Sequence, residues 1–90
     1  MKTFSEKVRE ARTLLKLSQE KLGSLVGVSM RSIVKYEVDG VRPRPAVLRK
    51  LADALQVSPD YLDVDEIQDP LYGIEKKEFV EEANSLSPGI

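Results

Sequence analysis

The stretch Leu17-Ser18-Gln19-Glu20-Lys21-Leu22-Gly23-Ser24-Leu25-Val26-Gly27-Val28-Ser29-Met30-Arg31-Ser32-Ile33-Val34-Lys35-Tyr36-Glu37 decides the fold. Ser18 precedes Gln19-Glu20-Lys21-Leu22, and a serine there accepts hydrogen bonds from the free amides that open a helix. Glu20 suits the positive end of that helix. Leu22, Leu25 and Val26 form its apolar stripe. Gly27 then supplies the left-handed backbone that stops a helix. Val28 fills a corner, and Ser29 caps a third helix running to about Val38. At 100° per residue, Ile33, Tyr36 and Glu37 share one face, expected to be core. Arg31, Val34, Lys35 and Val38 share the opposite face, with Met30 at its edge. Two short helices thus meet through one glycine and one apolar residue, a geometry that lets the second project from the domain surface.

Outward from this core, Phe4, Val8, Ala11 and Leu15 recur at helical spacing, with Ser5, Glu6, Lys7, Glu10 and Thr13 off the stripe. They predict an amphipathic first helix from about residue 4 to 16. Asp39-Gly40 is a turn signal, and Arg42-Pro43-Arg44-Pro45 reads as a stiff basic connector. Val47, Leu48, Leu51, Ala52 and Leu55 predict a fourth helix. Ser58-Pro59-Asp60 is a helix start, leading into Tyr61 and Leu62. Asp63 to Tyr72 reads as an acidic, irregular linker broken by Pro70 and Gly73. Ile74, Phe79, Val80, Ala83 and Leu86 predict a sixth, amphipathic helix. The expected class is all-α. A five-helix domain over residues 1–62 precedes an acidic linker and C-terminal helix over residues 63–90.

Composition narrows the chemistry. The 90 residues contain no cysteine and no histidine, so there is no disulfide framework, no thiolate metal site and no histidine acid/base. No cofactor and no metal are expected. Asp63, Asp65, Glu66 and Asp69 lack the ligand alternation and central glycine of a calcium loop, and no convergent catalytic set appears. No apolar run approaches the ~20 residues needed to cross a membrane. The start of the chain lacks a signal-peptide pattern, and a cytoplasmic location is expected. The net charge of -1 conceals an asymmetry. Residues 1–50 hold 12 Lys/Arg against 5 Asp/Glu, whereas residues 51–90 hold 2 against 10. Such a split suits a polyanion-binding half followed by an acidic one.

From Leu17 to Gly40 the chain closely resembles the lambda-repressor/Cro type helix-turn-helix family, also called the xenobiotic response element family. The likeness extends over residues 4–62 through Pro45, Leu48, Leu51-Ala52, Leu55 and Val57-Ser58-Pro59-Asp60-Tyr61-Leu62. It implies a compact five-helix bundle and a prokaryotic transcription regulator, a repressor or autoregulator. Such a regulator reads a double-stranded operator as a homodimer, with helix 3 in the major groove. The resemblance puts Arg31, Lys35, Met30, Ser29 and Val34 toward base edges. The Arg31 fork matches guanine O6 and N7, Lys35 suits a guanine or a phosphate, and Val34 suits a thymine methyl. Ser29 reads equally as a simple cap. Gln19, Ser32, Lys21, Arg42 and Arg44 are implied backbone contacts, Gln19 also bracing the recognition helix. Arg12 and Glu37 are implied to form a structural ion pair.

Two departures from the family pattern stand out. Gly23 replaces an alanine-like residue, and Val38-Asp39-Gly40 is one residue longer than the usual loop. Phe79, Val80, Ala83 and Leu86 offer a dimer or partner surface, or pack back on their own domain. The alternative function is an antitoxin-like or adaptor module that engages a protein partner through residues 63–90.

Overall fold

The computed structural model describes residues 1–74, and the expected sixth helix with Phe79, Val80, Ala83 and Leu86 lies outside that range. The described part is all-helical: α1 (Phe4–Leu14), α2 (Gln19–Val26), α3 (Met30–Val34), α4 (Pro45–Leu55) and α5 (Pro59–Asp63). One π-helical turn, Lys35–Asp39, continues α3.

Each helix begins where side-chain chemistry allows it. Thr3 and Glu6 form a reciprocal capping box on α1, the Thr3 hydroxyl accepting from the Glu6 amide and the Glu6 side chain from the Thr3 amide. Ser18, Ser29 and Ser58 cap α2, α3 and α5. Helix α4 starts at Pro45 itself, with Arg44 as an N-cap that makes no side-chain capping bond. The Arg42–Pro45 connector is therefore shorter than the sequence implies, because a proline at the first helical position loses no hydrogen bond.

The helix ends explain the other boundary differences. The first helix stops at Leu14 rather than near residue 16, because Lys16 is left-handed at φ 58°. Its amide donates to Thr13 O at 2.9 Å, and the Leu17 amide donates to Arg12 O at 3.1 Å. Gln56 ends α4 in the same way, at φ 59°, with the Val57 amide on Ala52 O at 3.0 Å. Both are Schellman motifs built without glycine, and each carries an apolar residue, Leu17 or Val57, back toward the core.

Two glycines shape the helix-turn-helix corner for different reasons. Gly27 sits at φ 84° with open space around it, so its role is conformational. Gly23 needs space: a Cβ there would lie 2.8 Å from Val28 O, a backbone atom. The residue the sequence marks as a weak point in α2 is a point of close approach between α2 and the corner.

The core collects one face of every helix. Val8, Leu22, Ile33, Leu51, Ala52 and Leu62 have no exposed surface, and burying each large aliphatic side chain contributes about 1.5–3 kcal/mol. Phe4 meets Tyr36 edge-on, with ring centroids 6.4 Å apart.

Residues 64–70 differ most from expectation. Read as a linker, this stretch instead folds back on α1. Lys7, which lies off the apolar stripe of α1, is fully buried. Its ammonium donates to Tyr61 O and Ile67 O at 2.7 Å each, to Val64 O at 3.2 Å and to Asp65 O at 3.3 Å. It also sits 4.6 Å from the centroid of the Tyr61 ring. Burial pushes the Lys7 ammonium below its ordinary pKa, with Asp65 opposing. Lys2 and Gln68 exchange two hydrogen bonds, of 2.9 and 3.2 Å. The Ser58 amide donates to Pro70 O at 2.7 Å.

Candidate nucleic-acid interface

The recognition element is Met30–Asp39, and its inner side is pinned by three different contacts. Ile33 is fully buried, and Tyr36 and Glu37 nearly so. The Arg12 guanidinium from α1 grips Glu37 in two parallel bonds, Nε to Oε2 at 2.6 Å and Nη2 to Oε1 at 3.0 Å. Its remaining edge donates to Leu17 O at 2.7 Å, at the entry to α2. The Gln19 side-chain amide donates to Glu37 Oε1 at 3.4 Å. One buried carboxylate thereby ties α1, the start of α2 and the recognition element together. Glu37 raises the Arg12 pKa further above its already high range, with burial in opposition.

The third contact depends on the π turn. The Gly40 amide donates to Lys35 O rather than continuing the α pattern, and the Val41 amide reaches the same carbonyl at 3.3 Å. Tyr36 O thus loses its usual helical donor, and the Ser5 hydroxyl of α1 donates to it at 2.8 Å. The Val38-Asp39 pair that the sequence reading assigns to the loop after Glu37 is wound into the helix end as part of this π turn. Ser5 is a site-shaping residue the sequence reading missed, since its partner is a main-chain carbonyl with no side-chain signature.

The outer side is open. Arg31 and Lys35 are exposed, Val34 is half-buried, and Met30 keeps 51% of its surface accessible. The side chains of Arg31, Lys35, Lys21 and Arg44 form no hydrogen bond or ion pair among the described residues. Ser29 and Ser32 face each other: the Ser29 hydroxyl accepts from the Ser32 amide at 3.1 Å, and the two hydroxyls lie 3.1 Å apart. Both therefore serve the cap of α3. Arg42 is engaged within the chain. It donates to Asp63 O at 2.6 Å, pairs with the Asp65 carboxylate, and lies 5.2 Å from the Phe4 ring centroid. The site so built is a protruding basic face with apolar interruptions, fixed from behind.

Among the described residues no cluster of His, Cys, Asp or Glu is arranged to hold a metal ion, and no helix is long and apolar enough to cross a membrane.

Comparison with known proteins agrees with this geometry. A family model described as helix-turn-helix matches residues 8–62. The chain is 44% identical over 59 residues to the repressor protein C2 of Salmonella phage P22, covering 66% of this chain and 27% of that protein. It thus spans about a quarter of that relative's length. It is 33% identical over 72 residues to the SPbeta prophage-derived HTH-type transcriptional regulator YonR of Bacillus subtilis, covering 71% of this chain and 67% of YonR. The crystal structure of the P22 c2 repressor in complex with a synthetic operator is similar, with TM-score 0.66 and 40% identity over 69% of this chain and 94% of that one. From helix order to the match over most of the bundle, the chain belongs to the lambda-repressor/Cro-like family of helix-turn-helix proteins.

Proposed function

We propose that this chain is a sequence-specific, double-stranded DNA-binding transcription regulator, acting in the cytoplasm as a repressor or autoregulator. The observation that carries the reading is the contrast between the two sides of Met30–Asp39. The inner side is locked by Ile33, Tyr36 and the Arg12–Glu37 pair, whereas Arg31 and Lys35 stand outside without partners among the described residues. A rigid helix with free cationic side chains suits the major groove, about 12 Å wide. Arg31 reads a guanine through O6 and N7, Lys35 takes a guanine or a phosphate, and Val34 and Met30 pack on thymine methyls. Gln19, Lys21 and Arg44 lie on the flanking phosphates and set the register. The operator complex of the P22 c2 relative supports the same reading. One domain makes few base contacts, so the regulator acts as a homodimer on half-sites about 34 Å apart.

Fluorescence anisotropy over a salt series, with a random-sequence duplex pool, tests the charge side of this reading. Wild type binds with an affinity that falls as salt rises, and Arg31→Ala and Lys35→Ala both weaken it. Salt-insensitive binding, or no binding, refutes the reading. The adaptor alternative depends on residues 63–90, of which 64–70 already pack on α1. If deletion of residues 75–90 abolished a protein complex and left duplex binding intact, that alternative would gain.

A further inference from the structure

Two cations hold the segment that follows α5, and they hold it with unequal strength. Lys7 is the anchor, a fully buried ammonium surrounded by four carbonyls. Arg42 is the latch. It reaches the end of α5 at Asp63 O and the segment beyond it at the Asp65 carboxylate, but the Arg42–Asp65 pair is exposed, with 36% and 50% of the two side chains accessible.

We propose that residues 63–70 form an autoinhibitory strap: docked on α1, the strap holds Arg42 away from the DNA backbone, and unlatching adds one phosphate-neutralising cation to the interface. The proposal rests on the DNA-binding reading given above. Its first support is position. Arg42 and Arg44 both follow Gly40, which closes the recognition element. Arg44 is exposed and its side chain makes no polar contact among the described residues, whereas Arg42 has both terminal nitrogens engaged and its face against Phe4. A guanidinium in that state has few donors left for a phosphate. Its second support is charge. The strap carries Asp63, Asp65, Glu66 and Asp69, so the docked strap both occupies a cation and presents anions near it. Its third support is energetic. The exposed Arg42–Asp65 pair adds little to the stability of the bundle, so loss of the Asp65 charge frees Arg42 without unfolding the domain, while Lys7 keeps the rest of the strap in place.

The test is a mutant cycle read by duplex affinity over a salt series, using a random-sequence duplex pool. Arg42→Gln in the wild-type background should leave the slope of log affinity against log salt unchanged. Asp65→Asn should steepen that slope by about 0.9, the value for one added phosphate contact. Asp65→Asn combined with Arg42→Gln should return it to the wild-type value. Two results overturn the proposal: a shallower slope for Arg42→Gln alone, which means that Arg42 already contacts phosphate, or a gain from Asp65→Asn that survives in the double variant, which is long-range charge.

A second measurement needs no DNA. NMR exchange of the Arg42 side-chain protons should be slow in wild type and fast in Asp65→Asn, and equal rates refute the latch. Loss of all duplex binding in wild type would instead strike the DNA-binding reading, with the proton exchange still deciding the latch.

Discussion

Replacing Arg12 with methionine removes the only cation that pairs, among the described residues, with a carboxylate whose side chain is 2% exposed. Methionine keeps much of the apolar stem and none of the donors. Glu37 would lose bonds of 2.6 and 3.0 Å and, among the described residues, keep only the Gln19 amide at 3.4 Å. Removing one partner of a buried pair costs about 3–5 kcal/mol, because the other is left uncompensated. Folded domains have only about 5–15 kcal/mol in total, so Arg12→Met should bring this chain near its unfolding threshold. Glu37→Leu should cost less, because the guanidinium retains Leu17 O and 16% exposure. The double variant should lie within about 1–2 kcal/mol of wild type, since a buried pair exchanged for apolar packing is often close to neutral. Urea denaturation followed by circular dichroism, with the slope of the transition checked for each variant, measures all four corners. An Arg12→Met cost below about 1 kcal/mol, or a double variant as unstable as the two single losses added together, would refute the brace.

Other expectations concern backbone and caps. Gly23→Ala should destabilise by on the order of 1 kcal/mol, because crowding against Val28 O outweighs the gain in helix propensity; a rise in melting temperature would refute the close approach. Lys16→Gly and Gln56→Gly should each stabilise by up to about 1 kcal/mol by removing the left-handed strain at φ 58° and 59°, and unchanged or lower denaturation midpoints would speak against it. The Thr3 amide, then its side chain, lowers the Glu6 pKa from 4.5. This carboxylate therefore favours the folded state at neutral pH, and that contribution is lost as pH falls through the lowered value. Carboxyl-carbon NMR should put the wild-type midpoint below 4.5 and raise it in Thr3→Val, and equal midpoints would contradict the capping box. Lys7→Met should cost about 1–3 kcal/mol, since Tyr61 O would be left buried without its donor, and should speed hydrogen exchange at Ile67; unchanged exchange would count against the anchor.

The parts of this fold legible in the sequence are those written in side chains that act on their own helix. Ser18, Gly27, Ser29 and Ser58-Pro59 mark helix ends through local chemistry, and each acts where it is expected. The inward face of Ile33, Tyr36 and Glu37 follows from periodicity, which also left Arg31 and Lys35 outside. What stayed hidden involves main-chain partners far away in sequence. Lys7 looks like any surface lysine until four carbonyls from residues 61–67 converge on it. Ser5 has meaning only once the π turn frees Tyr36 O. Lys16 and Gln56 occupy positions that usually take glycine, so the ends of α1 and α4 lack their usual punctuation. Arg42 was legible as a basic residue near the recognition helix, but its capture by Asp63 and Asp65 was not, because a linker was expected where a docked strap lies.

Selection of bound duplexes from a random pool, run in parallel on wild type and Arg31→Ala, tests the outward helix most directly. Wild type should enrich a two-fold motif containing a guanine, and Arg31→Ala should relax that one position while keeping the rest, a loss of about 1–3 kcal/mol in discrimination. An enriched motif identical for both proteins, or no motif for either, would contradict groove reading by this face.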